Sequence, residues 1–530
     1  MRLWGARKGL SARILSGVGA SGASCAFPLT PALSRRERET RHPAPAPSTR
    51  ARFQQALAAV PPLPAGEGRG EGERAVPFRT ATTPTSTSPP RERGSVLIIV
   101  LWIAFGLVSL ALYFAHSMSF ELRAADNRVA GTEAEQAIEG AVRYLTNILA
   151  NVEQPGTLPD TNTYHYVSVP VGDATFWLLG RQDSLGNIDQ PAFGLVDEAS
   201  KLNLNTAPLE MLQSLPRMTP ELAAAIIDWR DSDEAVTTGG AESEMYLRRN
   251  PAYRCKNAPF ESIDELRLVF GATLEILYGE DTNLNGVLDL NENDGDTSPP
   301  FDNRDGRLDP GLLEFVTVYS REANTRSDGT PRINVNSGQQ QLAALLRENF
   351  DTQRANQILQ QARPIPGGYR SVLQFYVRSR MTAEEFAKIE SEITVSNGQF
   401  IEGLINVNTA SEAVLACIPG IGPDYARTLV ASRQIRAAST LTSIAWITEI
   451  LTDESSIRLA GPRLTGKAYQ FTADIAAVGH FGRGYRRVRF VLDTAEDAPK
   501  ILYRQDLSHL GWALGRQTRN ILLLAQETRR

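Results

Sequence analysis

"RERGSVLIIVLWIAFGLVSLALYF", residues 91–114, governs how the rest of the chain is read. Two arginines and a glycine lead directly into an apolar run, and from Ser95 to Phe120 there is no Lys, Arg, Asp or Glu. A helix needs ~20 apolar residues to cross ~30 Å of hydrocarbon. The run therefore predicts one membrane-spanning helix over residues 95–120; a buried core helix would rarely run so far without a charge. Arg91 and Arg93 flank only the upstream end, which places that end in the cytoplasm and everything after the segment outside it. A cleavable secretory signal would carry its small-residue cleavage site behind the apolar stretch. Here the small residue at a charged boundary, Gly94, stands in front of it. Helical spacing of apolar residues continues through "FELRAADNRVAGTEAEQAIEGAVRYLTNILANV" to about Val152. One long helix, half apolar and half amphipathic, is expected.

Upstream of this segment the composition changes. "PAPAPSTRAR", "PPLPAGEGRGEGER" and "TATTPTSTSPPRER" are rich in Pro, Gly, Ser, Thr and Arg and hold no apolar periodicity. Such composition buries too little surface to offset chain entropy. "PLTPALSRRERE" also resembles translated repetitive intergenic bacterial DNA. Two readings of residues 1–94 stay open: a disordered leader, or an artefact of the assigned start with the true start just before Arg91.

The 530 residues, 42% hydrophobic, leave room for several domains. A formal charge of −5 argues against a general nucleic-acid binder. Cys25, Cys255 and Cys417 lie far apart, and none of the five histidines stands at ligand spacing from a cysteine or another histidine. Neither a zinc site nor a disulfide framework is expected. The sequence has no nucleophile elbow, Walker loop or HExxH, and no enzymatic role is expected.

Downstream, the chain repeats itself three times. "KLNLNTAPLEMLQSLPRMTPELAAAIIDWRDSDE" starts at Lys201, "RINVNSGQQQLAALLRENFDTQRANQILQQAR" at Arg332, and "GLINVNTASEAVLACIPGIGPDYARTLVASR" at Gly403. Each has a strand-like phrase, Asn-x-Asn-Thr/Ser, a helix, a tight turn and another helix. Asn205-Thr206, Asn336-Ser337 and Asn408-Thr409 read as helix N-cap signals. In the third copy, Gly420-Ile421-Gly422 forms a helix-hairpin-helix pattern, with Ala426 small enough for close helix packing. Such glycines expose backbone N–H groups to phosphate in DNA-binding examples. A compact packing unit is the simpler reading, since copies one and two lack the glycines.

Between copies one and two lies "EDTNLNGVLDLNENDGDTSPPFDNRDGRLDP", residues 280–310, with nine Asp/Glu against two Arg. Asp281, Asn283, Asn285, Gly286 and Glu292 fit the calcium-loop pattern D-x-[DN]-x-[DN]-G-x5-E. Val287 supplies the backbone carbonyl of position seven and Asp289 falls at position nine. Calcium is the expected ion, held in the loop without a full pair of flanking helices. Asn303, Asp305 and Asp309 around Gly306 form a weaker second cluster, because Leu312 replaces the acid a calcium loop needs at its end.

β-rich phrases flank the repeats. "TYHYVSVPVGDATFWLLGRQDSLGNIDQ" reads as the start of an antiparallel meander, and "AYQFTADIAAVGHFGRGYRRVRFVLDT" as a hairpin turning at Gly482 and Gly484. "KILYRQDL" is a further strand candidate. The alternating arginines of "RGYRRVRF" read as a solvent-facing strand face rather than a nucleic-acid contact. The expected fold class is α+β: a long N-terminal helix on an antiparallel sheet, with an inserted all-α domain of helix-hairpin-helix, SAM-like repeats. The boundaries are a leader to 94, a transmembrane helix over 95–120, helix and first strands over 121–200, the insertion over 201–465, strands over 466–510 and a loose polar tail over 511–530.

Basic residues, Gly94 and an immediate apolar helix resemble a type IV pilin or pseudopilin leader. The resemblance implies that a prepilin peptidase cuts between Gly94 and Ser95 and methylates the new amino terminus. The family usually places a Glu five residues into the mature helix; counted from Ser95, that position is Ile99. A buried carboxylate without a partner costs several kcal/mol, so an apolar residue suits a subunit at a filament end. Together with the "KLNLNTA" and "INVNTA" phrases, Ile99 makes residues 91–510 resemble the minor pseudopilin K family of type II secretion. That implies a role at the pseudopilus tip, in starting its assembly for export of folded proteins across the outer membrane. The implied setting is the inner membrane, with the bulk in the periplasm. The implied partners are minor pseudopilins I and J and the secretion machinery, with no nucleic acid. The alternative is a membrane-tethered DNA-uptake protein using Gly420 and Gly422.

Overall fold

The computed structural model describes residues 95–181, 190–496 and 498–527; the leader, Gly94 included, lies outside them. A single helix, Ser95–Ala150, runs for 56 residues. Its first half is apolar around the whole circumference and exposed along its length, from Val96 to Phe120. From Ala130 onward one stripe is buried: Ala130, Ala134, Ala137, Ile138, Ala141, Val142, Leu145 and Leu149. Their spacing of three and four residues is one helical face. The alanines let the backbone lie close to the sheet beneath.

That sheet has six antiparallel strands: β1 (Val169–Val171), β2 (Ala174–Leu179), β3 (Val196–Asp197), β4 (Gln470–Val478), β5 (Arg486–Asp493) and β6 (Lys500–Asp506). Their order is β1-β2-β4-β5-β6, and β3 pairs with β4. Ile475 at the centre of β4 faces Leu178 on one side and Val488 on the other. Side chains alternate across a strand. Phe471, Ala473, Ile475 and Ala477 therefore share one face with Phe176, Leu178, Val488, Phe490 and Leu492, and pack on the helix.

The opposite face carries Gln470, Thr472, Asp474, Arg487, Arg489 and Asp493, yet every residue of β4 is buried. The expectation of a solvent-facing arginine strand is overturned: Arg487 is 0% exposed. The helical region inserted between β3 and β4 covers this face.

Three repeats build the insertion, and each closes on itself through a two-residue parallel pair. Leu202–Asn203 pairs with Val316–Thr317, Ile333–Asn334 with Ile393–Thr394, and Ile405–Asn406 with Leu464–Thr465. The first Asn of each phrase makes an Asx turn: Asn203, Asn334 and Asn406 accept from the N–H of Asn205, Asn336 and Asn408 at 2.9, 2.9 and 3.0 Å. The second Asn is not an N-cap as expected. Asn205 clasps both backbone groups of Phe260, and Asn336 those of Tyr369. Asn408 donates to Leu441 O and accepts from Trp446 Nε1. The following helices start at Pro208, Gly338 and Ser411 instead. These asparagines tie each repeat's first strand to its later helices, which local sequence cannot reveal.

Leu212 and Leu222, Leu346 and Ile358, and Leu415 and Leu429 belong to one continuous apolar core across all three repeats. Arg230 and Arg433 occupy equivalent positions and donate to paired carbonyls, Leu204 and Ala207 in one repeat, Val407 and Ala410 in the other.

The hairpin of the third repeat turns at Gly420, with φ +90°. A Cβ there would stand 2.7 Å from Ser456 O and 3.0 Å from Leu459 Cβ. Arg217, at the same place in copy one, takes φ +59° without a glycine. Gly420→Val is expected to destabilise the protein by about 2–3 kcal/mol through backbone strain and clash, read by denaturant unfolding. Gly422 meets nothing within 4 Å, and Gly422→Ala should cost about 1 kcal/mol. Equal losses at the two positions would refute this packing account.

The loose C-terminal tail expected over 511–530 is also corrected. Gly515–Glu527 is a helix. Ala513, Leu514 and Leu522 anchor it beside Trp177, Leu179, Ala476 and Val478. Within "NILLLA" it is Leu522 that packs, while Ile521, Leu523 and Leu524 stay exposed.

Candidate assembly and cation sites

Ser95 opens the stalk helix, and Ile99 lies one turn on, 57% exposed. The first turn holds no acidic residue. Up to Phe120 the surface offered is hydrocarbon, suited to lipid or to other apolar helices. Where the head begins, Asp126 and Glu133 on the helix bracket His480 from the β4–β5 turn. His480 Nε2 is 2.8 Å from Asp126 Oδ1 and Nδ1 is 2.6 Å from Glu133 Oε2. Arg483 adds a second ion pair to Asp126. Hydrogen bonding to the two carboxylates raises the imidazole pKa, favouring the cation that clamps hairpin to stalk.

The acidic loop is a closed excursion from repeat one. Glu280 N donates to Asp309 O and Gly311 N to Tyr278 O, so its ends meet. It follows the short helix Leu274–Tyr278 and holds only the 3-10 turn Leu290–Glu292, in keeping with a site confined to the loop. Asp281 accepts from the N–H groups of Asn285 and Gly286 at 3.0 and 2.9 Å. Gly286, at φ +70°, makes the sharp turn. Asn285 Oδ1 accepts from Val287 N, placing positions five and seven side by side. Asp289 Oδ2 accepts from the amides of both Asn283 and Asn285. Glu292 accepts from Thr282 N and Asp289 N, closing the ring.

Asp281, Asn285 and Glu292 are buried. Burial pushes the Asp281 carboxyl up to about 6 and the Glu292 carboxyl up to about 7. Among the described residues no Lys or Arg forms an ion pair with Asp281, Asp289 or Glu292. Asn283 Oδ1, at position three, is buried with no hydrogen-bond partner. An orphaned oxygen among three carboxylates is what a hard divalent ion would satisfy, so the residues present fit calcium.

The second cluster is weaker. Asp305 N donates to Asn303 Oδ1 and Arg307 N to Asp305 Oδ1, while Asn303 reaches Asp309 Oδ2 at 3.5 Å. All three side chains lie near the surface. Asp302, which sequence reasoning missed, organises this half of the loop by accepting from Asp294 N and Gly295 N.

The loop is bolted to the sheet by Arg487. Its guanidinium grips Asp474 at 2.8 and 2.9 Å and donates to the carbonyls of Asn283 and Leu284. Arg489 shares the same carboxylate at 2.8 Å. Burial alone would raise the Asp474 carboxyl, but the two guanidiniums outweigh it and hold it at about 2. Similar polar ties recur across the face. Glu198 accepts from Thr472, Thr317 and Lys201. Asp493 accepts from Gln470 and Arg321. The signal that could have found them was the alternation of Arg487, Arg489 and Asp493 opposite Thr472 and Asp474.

Gly420 and Gly422 lie at the turn before the helix Gly422–Ile435, with Ala426 of that helix fully buried. The side of Gly420 where a Cβ would stand faces Ser456, inside the repeat. Exposed Asp424 sits in the first turn of the helix that follows. Both features favour packing over phosphate contact. Cys255 and Cys417 are both free and buried.

A stalk helix long and apolar enough to cross a membrane, laid at its far end on an antiparallel sheet, defines an α+β protein. Residues 198–278, the first repeat of the head, match the family model for type II secretion system (T2SS), protein K. Type II secretion system protein K of Klebsiella pneumoniae is 28% identical over 200 residues, covering 37% of this chain and 49% of the relative. Its counterpart from Aeromonas hydrophila is 28% identical over 203 residues, covering 35% and 61%. The chain thus spans between half and three-fifths of these relatives' lengths. Among solved structures, a chain of the GspK-GspI-GspJ complex from the enterotoxigenic Escherichia coli type 2 secretion system is covered to 98%, against 71% of this chain. Its identity is 12% and its TM-score 0.34.

Proposed function

We propose that this protein is a minor pseudopilin of type II secretion that caps the pseudopilus tip and helps start its assembly. The observation that carries the reading is the union of a bare apolar rod with a three-repeat head. The rod has the surface to lie among other apolar helices, and the head is too bulky for a close-packed shaft. Ile99 in place of a Glu suits a subunit with no neighbour above it to neutralise. The arginines at 91 and 93 support a head on the periplasmic side. Partnership with minor pseudopilins I and J follows from family resemblance. The repeats serve as helix-hairpin-helix packing units, and calcium holds the 281–292 loop against the sheet. The decisive experiment is mass spectrometry of the amino terminus of membrane-extracted protein. N-methylated Ser95 is expected as the first residue. A chain in the membrane that begins elsewhere would make it an ordinary single-span protein and remove the pseudopilin reading.

A further inference from the structure

The helix Gly515–Glu527 is held to the head along a narrow stripe and leaves apolar side chains uncovered. Leu522 packs beside Trp177 and Val478, with Ala513 and Leu514 just ahead of the helix. Ile521 and Leu523 are 59% and 48% exposed. Successive helix positions lie about 100° apart, so these two flank the packed residue on opposite sides. Arg516 and Arg519 on the same helix are exposed, and among the described residues neither forms an ion pair. Residues 515–530 hold four Arg against one Glu.

The position of this helix points to what covers it. It packs against the turn His480–Gly482, the same turn that Asp126 and Glu133 of the stalk bracket. Asp126 stands six residues past Phe120, the end of the uncharged run, or about 9 Å along the helix axis. The run itself, 26 residues from Ser95 to Phe120, is about 39 Å long, close to the ~40 Å of a bilayer with its headgroups. The foot of the head therefore stands at the headgroup boundary when the stalk spans a membrane. Phe481 in the turn is 48% exposed, and amphipathic and aromatic rings are common at that depth. Arg123 and Arg128 of the stalk are exposed at the same level, and among the described residues neither forms an ion pair. Of the nearby acidic groups, Asp126 and Glu133 are engaged by His480 and Arg483, and Glu135 by Arg486. That leaves Glu121 facing four arginines. Apolar side chains beside unpaired arginines are what an interfacial helix offers to anionic lipid.

We propose that the helix Gly515–Glu527 docks on an anionic lipid surface through Ile521, Leu523, Arg516 and Arg519, seating the head on the membrane from which its stalk emerges. The inference rests on the stalk spanning a membrane. A protein partner would have to enter a gap of about 9 Å, narrower than one helix with its side chains. Docking fixes the tilt of the head over the bilayer, and drawing the stalk out of the membrane has to break it.

The test uses full-length protein in vesicles of phosphatidylethanolamine and phosphatidylglycerol. A fluorophore sits on one introduced cysteine, and a headgroup spin-labelled lipid is the quencher. Cys25→Ser removes one thiol, and Cys255 and Cys417 are buried and stay unlabelled. Labels are placed at Asn520→Cys in the helix, Leu122→Cys just past the span and Ile435→Cys in the third repeat. Leu122 and Ile435 are 71% and 87% exposed. The third repeat shares a cavity with Asn147 and Asn151 of the stalk's far end, about 40 Å along the axis from Leu122. The label at 520 should be quenched to at least half the extent seen at 122, and the label at 435 not at all. Ile521→Gln with Leu523→Gln, and Arg516→Gln with Arg519→Gln, change exposed side chains and should leave the fold intact. Each pair should lower quenching at 520 at least twofold and leave 122 unchanged. A label at 520 as unquenched as that at 435, beside a quenched 122, overturns this inference and leaves the anchor standing. An unquenched 122 overturns the anchor and the docking with it. Quenching at 520 that both variants leave unchanged would show nearness without docking and overturn the proposal. So would label–label self-quenching at 520 with no quenching by lipid, which would place a second copy on this face.

Discussion

Arg487→Ala should cost about 3 kcal/mol or more and detach the acidic loop from the sheet. Removing one partner of a buried ion pair strands the other, typically at about 3–5 kcal/mol. Here Asp474 keeps Arg489, which places the loss toward the lower end. The carbonyls of Asn283 and Leu284 lose their donors as well, and unsatisfied buried acceptors add about 1–3 kcal/mol. Arg487→Lys should recover only part, since an ammonium cannot span two carbonyls and a carboxylate with one planar fork. Denaturant unfolding of the two variants decides it; a loss under about 1 kcal/mol for alanine would show that the bolt is not structural. The acid limb is a second readout. The Asp474 pKa is depressed to about 2 against about 3.9 unfolded. Its stabilisation is present above about pH 4 and is lost as pH falls toward 2. In Arg487→Ala that acid-dependent loss should be smaller, because the folded Asp474 pKa then lies closer to the unfolded value.

This bolt also marks where the sequence stops being legible. The stalk was readable because its signal is one-dimensional: Ser95 to Phe120 carries no charge, and the stripe from Ala134 to Leu149 keeps helical period. The β4–β5 hairpin was readable from its two turn glycines. What failed were features whose meaning depends on residues far away in the chain. Arg487 and Arg489 alternate as a surface strand would, and only the insertion folding back over them makes that face interior. Asn205, Asn336 and Asn408 look like caps because capping is the local use of such residues; their partners lie tens of residues downstream.

The response to calcium ought to grow with pH. Buried Glu292 and Asp281 have pKa values of about 7 and about 6 in the fold, above the roughly 4 of unfolded carboxylates. Without a cation the folded loop therefore holds more protons than the unfolded chain. Stability must fall as pH rises from about 4 to about 7 and stay low above that. Calcium needs both groups ionised, so it competes with protons at pH 5 and meets no competition at pH 8. At a hundredfold excess over Kd the bound ion adds about 2.7 kcal/mol, which for a head of this size means roughly 3 °C in Tm. Chelator should lower Tm little at pH 5 and by that amount at pH 8. Glu292→Gln should make the calcium shift at pH 8 smaller. In chelator at pH 8 the same variant should melt above wild type, because it removes a buried charge that has no counter-charge. A calcium shift undiminished in Glu292→Gln, or one larger at pH 5 than at pH 8, would mean that this loop is held by its own hydrogen bonds and not by an ion.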